Sequence, residues 1–321
     1  MNSAGRFLLQ ALVLSALATG PAYAQSEFTG ERFPYRAFDR LPKTTIDIGG
    51  GTLNVGFAPS AFTLPRSAVM AWLEDSAKAV SVYFGKFPGS SARILIVPAS
   101  GGGVEGGASW GFGGAAIRLF VGSEVTEAEF RDDWVAVHEM MHLAQPDIRE
   151  PHLWLAEGTA TYVEPIARAQ AGQLSAETIW RELVRDMPKG LPGPGDRGLD
   201  RTPTWGRTYW GGAIFCLMAD VEIRKQTGNE AGLQQALRGI VAAGGTIEYG
   251  WPIDRIFRVG DKATGTSVLA DLYAKMGTEP YAPDLDALWR DLGVSVKEGR
   301  VIFDDSAPLA SIRRAITAPP G

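Results

Sequence analysis

The chain has 321 residues, 45% hydrophobic and 21% charged, with a formal net charge of −5. That length supports one large domain or two lobes around a substantial core, and the composition is that of a folded globular protein. A mildly acidic chain without a block of like charge argues against a nucleic-acid partner, and a single cysteine, Cys216, excludes an intramolecular disulfide.

Residues 1–24 read as an export leader. Arg6 supplies the positive start, Phe7 to Ala18 the apolar core, and Ala22-Tyr23-Ala24 an A-x-A cleavage site. The apolar run is too short to span a bilayer, so the expectation is an exported protein, periplasmic or secreted, without stable membrane insertion. Residues 25–125 then read as a β-rich lobe. Thr44 to Ile48 and Thr52 to Phe57 form a hairpin around three glycines, and Val69, Leu73, Ala77, Val80 and Phe84 mark a helix after Pro65. Ala92 to Val97 and Ala115 to Val121 are strands, joined by a glycine-rich link from Gly101 to Ser109. Within it, Gly107 to Gly111 matches G-x-S-x-G. A nucleophile elbow needs a strand before it and a helix after it, which makes Ser109 a poor candidate for a serine hydrolase.

Residues 126–321 read as mostly helical. Thr126 and Glu129 have the spacing of a capping box, and Phe130, Trp134, Val137 and Met141 follow as an apolar stripe. Beside that stripe stands Val137-His138-Glu139-Met140-Met141-His142, an H-E-x-x-H sequence. Residues four apart share a helix face, so His138 and His142 can present two imidazoles to one zinc ion. Glu139 leaves the same turn, close enough to take a proton from a zinc-bound water. Pro146 stops the run. After a short polar break, Leu153 to Tyr162 forms a second helical stretch carrying Glu157. Two helices so linked pack antiparallel, which offers Glu157 as the third ligand. Thr161 stands four residues beyond it, and Glu164 is a candidate partner for the ligands.

Further along, Ser175 to Met187 is a capped helix, and residues 188–206 read as a surface loop. Residues 207–227 form a helix ending at Gly228, with Cys216 as a buried structural thiol in its apolar stretch. Asn229 to Ala243, Thr266 to Met276 and Pro283 to Leu292 are helical, and Val301 to Phe303 is a short strand.

H-E-x-x-H followed by W-L-x-E-G-x-A resembles the gluzincin metallopeptidases, particularly aminopeptidase N and the glycyl aminopeptidases. The metzincin pattern fails, because Ile148 stands six residues after His142. The resemblance runs roughly over residues 66–317 and implies an α+β, thermolysin-like zincin catalytic domain, with a small N-terminal mixed-sheet lobe and a mostly helical C-terminal lobe. It implies one zinc ion held by His138, His142 and Glu157, with Glu139 as general base. Tyr209-Trp210-Gly211-Gly212-Ala213 is similar to the Y-x-K/R-G-A segment of these families, with Gly211 in place of the basic residue. That implies Tyr209 as the donor to the tetrahedral intermediate; His152 is the next donor to consider. Gly102-Gly103-Val104-Glu105 resembles their G-x-M-E-N segment, which implies that Glu105 binds the free amine of a peptide, although Gly106 departs from the pattern. The expected function is a zinc metallopeptidase acting on peptide or protein substrates. An aminopeptidase stands ahead of an endopeptidase and of a catalytically silent peptide-binding protein.

Overall fold

The computed structural model describes residues 27–59 and 61–319, so the expected leader lies outside the described residues. Five strands form one mixed sheet: β1 (Lys43–Ile48), β2 (Gly51–Phe57), β3 (Ser91–Ala99), β4 (Val104–Trp110) and β5 (Ala116–Gly122), in the order β1-β2-β3-β5-β4. β1 and β2 are the expected hairpin. Gly49 and Gly50 both take positive φ at its two-residue turn, a conformation that glycine adopts without steric cost. β3 runs parallel to both β2 and β5, and its Ile94, Leu95 and Ile96 are fully buried.

The glycine-rich link differs from expectation. Most of it is strand β4, paired antiparallel with β5 at the open edge of the sheet. Its glycines carry no β-propensity of their own, so the pairing with β5 holds it extended. A bulge between Val104 and Gly106 leaves Glu105 unpaired and exposed.

The rest of the chain is largely helical. α1 (Tyr35–Arg40) precedes the sheet, and α2 (Arg66–Phe84) runs between β2 and β3. The capping box at Thr126 is present, but the helix it starts, α3 (Glu127–Asp132), stops after six residues. A new helix, α4 (Val135–Leu143), follows. Asp133 causes the break. Its carboxylate accepts from the Val135 and Ala136 amides at 3.0 and 3.1 Å and from the Trp72 indole at 3.2 Å, capping the second helix. The unbroken stripe expected from Phe130 to Met141 is therefore corrected: Trp134 falls at the junction and lies exposed.

α5 (Leu153–Gln170) is longer than the sequence suggested and continues through Pro165. α6 (Ala176–Asp186) is capped by Ser175 as expected. The 207–227 helix opens with a π-helical turn, Gly206–Gly211, and continues as α7 (Gly212–Gln226). Three elements that the sequence reading did not single out complete the chain: helix α9 (Ile253–Thr264), strand β6 (Val294–Lys297) and helix α12 (Ala310–Thr317). They accompany α8 (Leu233–Ala242), α10 (Val268–Met276), α11 (Leu285–Leu292) and β7 (Arg300–Phe303), which pairs with β6. Among the described residues, no helix is long and apolar enough to cross a membrane. Cys216 is buried on α7, and burial pushes its thiol up to about 12 against the pull of the Thr159 hydroxyl.

Residues 188–206 are corrected as well. Two 3₁₀ turns, Met187–Gly190 and Leu199–Arg201, bracket a stretch fastened to the body at both ends. Asp196 pairs with the buried Arg207 at 2.8 Å, and Arg207 also donates to the Gly190 carbonyl at 2.5 Å. Asp200 accepts from the Trp154 indole at 2.8 Å and the Tyr273 hydroxyl at 2.7 Å, and meets His152 Nδ1 at 2.9 Å. Such a buried polar network specifies one conformation, because each lost partner strands a desolvated group.

Candidate metal centre

α4 and α5 bring His138, His142 and Glu157 together. Their ligand atoms all lie within 4.8 Å of one another and could hold a metal ion. Glu157 Oε2 stands 3.3 Å from His138 Nε2 and 3.7 Å from His142 Nε2. The link between the helices is steadied by the Gln145 side chain, which donates to the Ala156 carbonyl at 3.3 Å. Two imidazoles and one carboxylate are a donor set that suits zinc, with room for one further ligand. Burial alone would raise the Glu157 carboxyl. The facing His142 and His138 and the Tyr209 hydroxyl outweigh it and hold the group below the ordinary value.

Glu139, beside these ligands, also meets the edge strand of the sheet. The Ser109 hydroxyl donates to its Oε2 at 2.6 Å and lies 2.9 Å from its backbone oxygen. Gly107, two residues earlier on β4, completes the contact: a Cβ there would stand 2.6 Å from Glu139 Cγ. Glycine at 107 is thus what lets the edge strand rest on the carboxylate. Burial pushes the Glu139 carboxyl up to about 6, with His142 and Ser109 pulling it back. A base in that range is suited to proton transfer near neutral pH. The sequence offers Ser109 only as a nucleophile. It lies inside a strand and donates a hydrogen bond to a carboxylate, so the elbow geometry is absent and its contact is one that orients Glu139. The signal was the i, i+2 alternation of Gly107 and Ser109, which shares a face only if the link is a strand.

Tyr209 reaches the centre from the π-helical turn, a feature that recurs at functional sites. Its ring lies 6.4 Å from that of His138, nearly parallel, and its hydroxyl faces the Glu157 carboxylate. Burial first, then the carboxylates of Glu157 and Glu139, raise the phenol above its ordinary pKa, so it stays a donor. The volume that a longer side chain at Gly211 would need is already taken. A Cβ there would meet Leu199 at 3.0 Å and the Arg207 guanidinium at 3.1 Å.

What brings Tyr209 to Glu157 is a backbone contact between α5 and α7. A Cβ on Gly158 would stand 2.3 Å from Gly212 Cα, and one on Gly212 would stand 2.1 Å from the Trp154 carbonyl oxygen. Gly158→Ala must push the helices apart. The expected result is a loss of about 1–3 kcal/mol of stability, read as a lower urea midpoint at unchanged slope.

Three expected residues lie elsewhere. Glu164 pairs with Arg168 at 3.1 Å instead of reaching the ligands, and burial pushes its carboxyl up to about 7 against the pull of Arg168. His152 is engaged with Asp200. Glu105 stands exposed in the β4 bulge, two residues from Gly107, which places it about 7 Å along the strand.

No protein-family model matches the chain, and no curated protein does. Solved structures do match in fold. An aminopeptidase N family protein from Idiomarina loihiensis aligns with TM-score 0.62 and 15% identity over 80% of this chain and 50% of its own. A variant of a two-domain M1 zinc metallopeptidase bound to L-arginine aligns with TM-score 0.50 and 16% identity over 76% of this chain and 53% of its own. The chain therefore has the α+β fold of M1-type zinc metallopeptidases, a mixed sheet lobe beside a helical part, as the motif resemblance implied. It spans about half the length of these structures.

Proposed function

We propose that the protein is a zinc-dependent peptidase, and within that class an aminopeptidase. The observation that carries the reading is the pairing of a convergent His138, His142 and Glu157 group with a buried Glu139 held by Ser109. Bound to that group, zinc would supply a Lewis acid and acidify water at its open position. Glu139 takes a proton from the attacking water at its carboxylate and returns it to the leaving nitrogen as the peptide C–N bond breaks. Tyr209 donates its hydroxyl to the oxyanion that forms on the scissile carbonyl. Glu105, exposed on the edge strand, pairs with the ammonium of the substrate's first residue and sets the first peptide bond at the reacting centre.

The test is hydrolysis of free and N-acetylated peptides side by side, on protein whose zinc content has been measured. Free peptides are expected to be cut and acetylated ones spared, and Glu105→Ala to raise KM for free peptides. Equal cleavage of both would leave a zinc endopeptidase. A folded, zinc-loaded protein that binds peptides and cuts neither kind would be the silent binding protein.

Tyr209→Phe keeps the ring beside His138 and removes one donor. Such donors are worth about 3 kcal/mol, so kcat should fall by about two orders of magnitude with little change in KM. An equally active variant would remove Tyr209 from the oxyanion role.

A further inference from the structure

Most large apolar side chains among the described residues are buried or partly buried. Among the described residues, the exposed ones are Phe112, Trp134, Trp205, Tyr249, Val296 and Ile302. Two of these six flank the metal centre. Trp134, 53% exposed, stands edge-on to His138 with ring centroids 5.3 Å apart and planes at 88°. Trp205, also 53% exposed, stacks on Tyr209 at 6.0 Å and 28°, and Tyr209 in turn faces His138. The four rings are linked pairwise, Trp134 to His138, His138 to Tyr209 and Tyr209 to Trp205.

The positions of both indoles are fixed by main-chain features already described. Trp134 sits at the α3–α4 junction that Asp133 imposes, and its carbonyl accepts from the His138 amide at 3.0 Å. Trp205 directly precedes the π-helical turn. Neither indole is needed to fill the core, and each leaves about half of a large apolar surface in water. That cost is recovered when a ligand covers it.

We infer that Trp134 and Trp205 are the walls of a subsite at the metal centre that takes a bulky aromatic or aliphatic side chain of the peptide, next to the bond to be cut. The inference rests on the peptidase reading. An indole face offers a large, rigid area for stacking, so the subsite favours phenylalanine over glycine at that place in the substrate. It is a preference by contact area, and it leaves the chemistry at Glu139 untouched.

The experiment uses the zinc-loaded Glu139→Gln protein, in which a bound peptide is not consumed, and titrates it calorimetrically with Phe-Ala and with Gly-Ala. Phe-Ala is expected to bind more tightly. Trp134→Ala and Trp205→Ala, made in that background with zinc content and circular dichroism checked, should each lower the Phe-Ala to Gly-Ala affinity ratio. The expected fall is about tenfold, or about 1.4 kcal/mol. Trp134→Phe and Trp205→Phe should restore most of the ratio and also serve if an alanine variant fails to fold. A ratio that does not move in any of these variants overturns the subsite. So does an equal loss for both peptides, because that is the signature of indoles that only shield the metal ligands from water. If neither peptide binds with both tryptophans in place, the peptidase reading fails and the subsite with it. If both bind and the tryptophans do not matter, this inference alone fails.

Discussion

Glu139→Gln is expected to lower turnover by about 10²- to 10⁴-fold while leaving zinc content and fold in place. The substitution keeps the shape of a buried side chain and keeps an oxygen that can accept from the Ser109 hydroxyl, so the edge strand has no reason to move. What it removes is the ability to take a proton. The metal-free variant should also be at least as stable as the parent above pH 6. Burial raises the folded carboxyl from its ordinary value of 4.5 to about 6. The folded parent therefore binds more protons than the unfolded chain between those values and loses stability as pH rises through them, which a neutral amide does not. The comparison is between melting temperatures of chelator-treated parent and variant across that range. Undiminished turnover would remove Glu139 from the role of base, and a variant that no longer folds would mean its charge is structural.

Glu157→Ala is the second large effect. Loss of an outer partner typically costs about 10- to 100-fold in metal affinity. Loss of one of three protein ligands should exceed that, so the variant should release zinc to a chelator that the parent resists. Ala is a strong helix former, and Glu157 lies on a helix of 18 residues, so α5 should survive the change. Tyr209 loses its carboxylate partner at the same time. Full zinc retention in a folded Glu157→Ala protein would show that another group closes the site.

The parts of the site readable from sequence are those whose geometry is local. His138 and His142 share a face because of the helix repeat alone, and Glu157 returns to them because the link between α4 and α5 is short. The edge strand was not readable, because Gly106 and Gly107 at its centre favour no strand and are held extended by pairing with β5. The break at Asp133 was hidden for a related reason. Aspartate in a helical pattern reads as a solvated side chain until Trp72, far away in sequence, turns its carboxylate into a cap. Ser109 and Glu139 are 30 residues apart, and no spacing rule links them. By contrast α9 carried its own signal, with Ile256, Phe257 and Gly260 buried on one face at helical spacing.

The Gly158–Gly212 contact sets a limit on how this site can change over generations. Elsewhere a core can drift by trading volume between neighbouring side chains, each substitution absorbed by the next. Where Gly158 crosses Gly212 there is nothing to trade, since main chain meets main chain. A shift of about an ångström at a reacting centre can cost on the order of a hundredfold in rate. Change around this site is therefore left to side chains away from that crossing, such as those of β4 and Trp134. The seam that carries Glu157 and Tyr209 is held at a fixed distance whatever the substrate becomes.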